Sequence, residues 1–158
     1  MKKILLLTTG GTIASVQGED GLAPEAAPTA FDRIIREYSH YYEIQSRNIL
    51  NLDSSNIQSE EWRLIAQSVY EALPDYDGIV ITHGTDTMAY TASMLTFMLE
   101  NLQKPVVFTG SQLPISSPLS DAPGNLATAF AAVDAGLHGV SVAFNHKIIR
   151  GCRAVKVR

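Results

Sequence analysis

The sequence holds one cysteine, Cys152. A lone thiol forms no intrachain disulfide and supplies no multi-cysteine zinc site, so the composition suits a reducing compartment. The four histidines, His40, His83, His138 and His146, include no pair four residues apart flanking a glutamate, and no metal is expected. Long apolar runs are missing as well. Ile4 to Leu7 is shorter than the ~7 residues a signal-peptide core needs, and nothing approaches the ~20 apolar residues of a membrane span. These absences lead to the expectation of a cytoplasmic protein with no membrane partner. An excess of positive charge is also lacking. Twelve Lys and Arg against sixteen Asp and Glu leave a net charge of −4, which disfavours nucleic acid or anionic lipid as a partner.

What is present is enough for a core. The chain has 158 residues, 46% of them apolar, about one domain's worth. Four short apolar runs, Ile4–Leu7, Gly78–Thr82, Pro105–Thr109 and Val140–Phe144, read as buried strands, with a weaker extended stretch over Tyr42–Leu52. Helical patterns lie between them. Trp62, Ile65, Val69 and Leu73 recur at spacings of three and four, preceded by Ser55 and Gln58 in a capping-box arrangement. Thr87–Glu100 is apolar on nearly every face, as a helix covered on both sides requires. A third helix is expected from about Asp121 to Ala135, with Asp121 as its cap. Strands alternating with helices predict an α/β fold with a mostly parallel sheet flanked by helices, a three-layer arrangement of Rossmann or flavodoxin-like type. Val16–Thr29 and Ser111–Asp121 are rich in Gly, Pro and small polar residues and read as loops, the first of them mobile.

In open parallel sheets ligands bind beyond the carboxyl ends of the strands. Here those ends carry Thr8-Thr9-Gly10-Gly11-Thr12, Asp53-Ser54-Ser55-Asn56, His83-Gly84-Thr85-Asp86-Thr87 and Gly110-Ser111-Gln112. Hydroxyls and glycines converge on one edge, a setting for a small polar ligand bearing a carboxylate. The glycines match neither the dinucleotide pattern nor the phosphate loop, so no nucleotide cofactor is expected. Thr12 has two readings, a nucleophile pushed into the crevice or a hydroxyl that satisfies its own turn, and spacing alone favours the second. Its base is open too. His83 suits a structural role equally well, while Thr85 and Asp86 with the distant Lys156 offer a lysine that relays a proton through a hydroxyl. The alternative for Lys156 is a solvated cationic surface shared with Arg150, Arg153 and Arg158.

Two segments carry a resemblance. Thr8-Thr9-Gly10-Gly11-Thr12-Ile13-Ala14 resembles the N-terminal signature of the bacterial-type L-asparaginases, and His83-Gly84-Thr85-Asp86-Thr87-Met88 resembles their second. The likeness continues through Asp53-Ser54-Ser55, Thr109-Gly110-Ser111-Gln112, Ser120-Asp121-Ala122 and Arg150-Gly151-Cys152-Arg153-Ala154-Val155-Lys156. It implies hydrolysis of L-asparagine to L-aspartate and ammonia through a threonyl acyl-enzyme, without cofactor or metal. Carried onto matching positions, Thr12 is the nucleophile, and Thr85, Asp86 and Lys156 form a proton-relay triad. Ser54 and Ser55 hold the substrate α-carboxylate, and Asp86 meets the α-amino group. Backbone N–H groups of the Gly11 and Thr85 loops are the candidate oxyanion donors. The family also implies a homo-oligomer, dimer or tetramer. Two departures stand out. Leu22 occupies the position where members often place a lid tyrosine, and the family has a further, smaller C-terminal domain, so residues 1–158 are expected to be the N-terminal domain alone. Two other readings remain open, a non-catalytic amino-acid-binding module and an ammonia-releasing amidotransferase subunit.

Overall fold

The computed structural model of the chain describes residues 1–18, 21–24 and 29–157, and over 15–30 it describes backbone alone. The chain opens with β1 (Lys2–Gly10), a 3-10 turn (Thr12–Ala14), a hairpin of β2 (Ser15–Gly18) and β3 (Gly21–Pro24), and α1 (Thr29–Glu37). Next come β4 (Tyr42–Leu52), a 3-10 turn (Ser54–Asn56), α2 (Ser59–Ala72), β5 (Gly78–Thr82) and α3 (Met88–Met98). The last elements are β6 (Pro105–Thr109), α4 (Ala122–Asp134), β7 (Gly139–Phe144), β8 (Lys147–Arg150) and a 3-10 turn (Gly151–Arg153).

Six strands form one sheet in the order β4-β1-β5-β6-β7-β8. All neighbouring pairs are parallel except β7 with β8. The five parallel strands therefore follow the doubly wound order 2-1-3-4-5, whose direction reverses between β1 and β5. Alternate residues of each central strand feed opposite faces. Leu5, Leu7, Ile79, Ile81, Val106 and Phe108 pack against α2 and α3 through Ile65, Val69, Ala92 and Leu95. Ile4, Leu6, Val80 and Val107 pack against α1 and α4 through Phe31, Ile34, Leu126 and Phe130. Burial on both faces explains why these strands are continuous apolar runs rather than alternating ones. The expected α/β three-layer fold is the one observed.

Three local expectations are corrected. Where the sequence was read as a mobile loop over Val16–Thr29, β2 and β3 pair antiparallel from Ser15–Pro24 to Gly18–Gly21, and α1 begins at Thr29; residues 19, 20 and 25–28 lie outside the described part. Backbone pairing supplies the order that the Gly- and Pro-rich composition did not advertise. The capping box of α2 is formed by Gln58 and Glu61, not by Ser55 and Gln58. The Glu61 carboxylate accepts from the Gln58 N–H at 3.0 Å, while Ser55 belongs to the preceding turn. Finally, α3 is covered on one side only. Met88, Ala92 and Leu95 are buried, but Tyr90 and Phe97 are 68% and 73% exposed. Among the described residues no helix is long and apolar enough to cross a membrane.

Candidate active site

The tips of β4, β1, β5 and β6 meet at the switch point, and glycine is what lets them meet. At Gly11, φ is +83°, and a Cβ there would lie 2.6 Å from both Cα and N of Gly84. A Cβ on Gly84 would in turn lie 2.6 Å from the Cβ and Oγ of Ser54. Backbone approaches backbone with no room for a methyl group. Thr12 and Thr85, each following one of these glycines, stand on adjoining loops, and both are half-buried.

Hydrogen bonds fix each loop. The Gly11 N–H donates to Leu52 O at 3.1 Å, so of the expected oxyanion-donor loops the first has its Gly11 amide already engaged. The Thr9 hydroxyl donates to Thr82 O at 2.7 Å, tying β1 to β5. Asp53 caps the turn that follows β4, its carboxylate accepting from the Ser55 amide and hydroxyl, each at 3.0 Å. Ser54 is buried; its Oγ accepts from the Thr87 N–H at 3.3 Å and its carbonyl from the Thr87 hydroxyl at 2.7 Å. Ser54 thus braces the β5 tip, and Ser55 is the hydroxyl that faces solvent.

Lys156 reaches this edge from the far end of the chain. Its Nζ donates to Thr85 Oγ1 at 2.9 Å and to Asp86 Oδ1 at 2.7 Å. The lysine side chain is 30% exposed and the aspartate 60%, so the pair contributes little to stability, about 0–1 kcal/mol. Arg150, Arg153 and Lys156 are all exposed, and what sets Lys156 apart is its pair of hydrogen bonds to Thr85 and Asp86. Leu22 falls in β3, and its side chain lies outside the described residues.

The loop after β6 is held by two residues that spacing placed elsewhere or missed. Asp121 precedes α4 but does not cap it with its side chain. Its carboxylate instead accepts from the Gln112 N–H at 2.9 and 3.0 Å and from the Leu113 N–H at 3.1 Å. Asn125, buried, donates to Gly110 O at 2.8 Å and accepts from the Asn145 N–H at 2.9 Å, joining the β6 tip to the β7–β8 turn. The polar Asn125 inside the apolar α4 pattern was the only signal of it.

His83 is fully buried at the β5 tip. Its Nδ1 lies 2.7 Å from Gly84 O, its Nε2 lies 2.9 Å from Thr91 Oγ1, and Thr91 Oγ1 accepts from Trp62 Nε1–H at 2.9 Å. Burial drives the imidazole pKa down to about 4, against a smaller upward effect of the Gly84 carbonyl, so the ring is neutral near pH 7. With both nitrogens committed, it does not serve as base to Thr12.

Among the described residues, no three His, Cys, Asp or Glu side chains cluster to hold a metal ion. A cavity of about 480 Å³ opens behind Thr85 and Lys156, lined also by Met88, Gln112, Phe144 and Asn145. A larger hollow of about 740 Å³ lies near the amino ends of β5 and β6, between Tyr70, Leu73, Met98 and Lys104. It is far from the convergent hydroxyls.

Comparison with known proteins gives matches along nearly the whole chain. The family model described as asparaginase, N-terminal, matches residues 3–158. An L-asparaginase of Thermococcus kodakarensis is 52% identical over 159 residues, covering 98% of this chain and 48% of that protein. The solved L-asparaginase I of Vibrio cholerae superposes with a TM-score of 0.90 at 35% identity, over 99% of this chain and 48% of its own. A probable cytoplasmic L-asparaginase of Campylobacter jejuni gives 0.86 at 34%, over 100% and 49%. The chain spans about half the length of the relatives it matches.

Proposed function

The chain belongs to the asparaginase family through its N-terminal domain, and from that premise we propose that it hydrolyses L-asparagine to L-aspartate and ammonia through a threonyl acyl-enzyme. The observation that carries this reading is the meeting of Lys156 with Thr85 and Asp86 beside the Gly11–Thr12 loop. Thr12 Oγ attacks the amide carbon as its proton passes by way of the Thr85 hydroxyl to Lys156, which enters this step as the neutral amine. Collapse of the tetrahedral adduct breaks the C–N bond, the leaving nitrogen takes the proton back from Lys156 and departs as ammonia, and water hydrolyses the Thr12 ester to release aspartate and restore the hydroxyl. Asp86 orients Lys156 and meets the substrate ammonium. Ser55, with the Asp53-capped turn, receives the α-carboxylate, and Ser54 supports that turn from beneath. Residues 1–158 act in this scheme as one N-terminal domain. A cytoplasmic location and a homo-oligomer belong to the same reading, supported by the name of the Campylobacter relative and by the exposed apolar outer face of α3.

The test is ammonia release from L-asparagine and L-glutamine by the chain, with Thr12→Ala as blank. Release that vanishes in the blank supports the assignment, and equal release by the two proteins overturns it. Aspartate that raises the melting temperature without any turnover identifies an amino-acid-binding module instead. The choice between the two amides is left to that assay because one methylene is worth only about 1–3 kcal/mol.

A further inference from the structure

The hydrogen-bond chain through His83 has a direction forced by its two ends. An indole N–H only donates and a carbonyl only accepts. Trp62 therefore donates to Thr91, the Thr91 hydroxyl donates to His83 Nε2, and His83 Nδ1–H donates to Gly84 O, with each proton used once. The tautomer follows without a choice. The His83 backbone is fixed as well, its N–H donating to Thr109 O at 2.9 Å, while Gly110 packs so closely that a Cβ on it would lie 2.4 Å from His83 O.

The grip falls on a peptide that nothing on its own residue could steer, since Gly84 has no side chain and Ser54 occupies the space one would take. A trans peptide sets its C=O and the next N–H on opposite sides. Holding Gly84 O from inside the core thus turns the Thr85 amide away from the core and fixes where Thr85 and Asp86 start. We propose that His83 is the positioning residue of this site: donating from Nδ1 to the Gly84 carbonyl, its imidazole holds the Gly84–Thr85 peptide in the orientation that presents Thr85 and Asp86 to Lys156. Trp62 and Thr91, on α2 and α3, set the tautomer from the helical layer. The inference rests on the asparaginase reading only for its kinetic consequence.

Two substitutions separate the ring's halves. Asparagine places an amide N–H near the Nδ1 position and lacks the Nε2 contact; glutamine reaches the Nε2 position and leaves Gly84 O without its donor. In His83→Gln, kcat for ammonia release falls about a hundredfold, the scale of a small misplacement of reacting groups, and KM rises as well because Asp86 also meets the substrate ammonium. The NMR signal of the Lys156 ε-methylene moves toward those of the solvated lysines. In His83→Asn both stay close to wild type, although the melting temperature drops because the Thr91 hydroxyl loses its acceptor. Long-range 1H–15N spectra of the wild-type ring show Nδ1 protonated and Nε2 bare, a readout that survives even if His83→Gln does not fold. An Nε2–H tautomer, a Lys156 signal unmoved in a folded His83→Gln, or kcat losses that follow melting temperature alike in both variants overturn the proposal. Because the NMR readouts need no turnover, a wild-type chain that releases no ammonia overturns the asparaginase reading while the Lys156 signal still decides the role of His83.

Discussion

A buried imidazole leaves a mark on stability that is separable from any effect on rate. The His83 pKa is about 4 in the folded chain, chiefly because burial penalises the charged ring, against 6.5 for the free group. Above pH 6.5 neither state binds the proton. Between 6.5 and about 4 the unfolded chain takes it up and the folded chain refuses it, so stability is full at neutral pH and drains as pH falls through this window. The loss amounts to about 3 kcal/mol. Urea unfolding at a series of pH values is expected to show wild type losing about that much more than His83→Asn between pH 7 and 4; parallel declines exclude the ring as the titrating group. Thr12 and Lys156 have the opposite signature. On the proposed mechanism Thr12→Ala and Lys156→Met are expected to abolish ammonia release, and Lys156→Met to change unfolding free energy by less than about 1 kcal/mol, because its ion pair is solvated. Near-normal release in either variant removes that residue from the mechanism.

Between elements, glycine sets the spacing of the strand tips, and its substitution has a sign that depends on what stands opposite. Gly84→Ala drives a methyl group into Ser54 and is expected to cost about 1–3 kcal/mol, as overpacking does. Gly124→Ala, within α4, meets only the His146 ring at 3.5 Å and is expected to stabilise by about 0.5–1 kcal/mol. Thermal melts of the two variants check the pair, and shifts of the same sign refute the steric account. The same elements show what sequence makes legible. β5 and β6 were read to the residue because strands buried on both faces are unbroken apolar runs bounded by polar tips. β8 was not, since all four of its residues, Lys147 to Arg150, are exposed and only pairing with β7 orders them. At Ser55 hydroxyl spacing does not distinguish a helix cap from an Asx turn, and the Asp53 two residues before it is the discriminating sign. Thr12, Thr85, Asp86 and Lys156 were named as a set on the strength of the family resemblance, whereas the Trp62–Thr91–His83 chain has no local pattern. Its three residues come together only once α2 and α3 pack side by side.

At the scale of the whole molecule, the site depends on a piece of chain that has to travel. Lys156 lies 71 residues beyond Thr85 and follows an edge strand whose four residues are all exposed, and beyond that strand Ala154 adds only partial apolar burial against the core. The anchor is Gly151. It is buried, with room for hydrogen alone: a Cβ would meet Val140 Cγ1 at 2.9 Å, Thr96 Oγ1 at 3.0 Å and Ala92 O at 3.1 Å. Its carbonyl accepts from the Ser93 hydroxyl at 3.2 Å. The chain turns there against α3 and runs back across the sheet's carboxyl edge, and five residues later the lysine arrives between Thr85 and Asp86. Gly151→Val lifts that turn off α3. Unfolding free energy is expected to fall by about 1–3 kcal/mol, and kcat, measured well below the melting temperature, by about a hundredfold as Lys156 is carried out of reach. Ser93→Ala removes the hydrogen bond without adding bulk and should give a smaller loss in the same direction. If Gly151→Val keeps both wild-type kcat and the wild-type Lys156 NMR signal, contacts beyond residue 151 deliver the lysine, and the anchor serves stability alone.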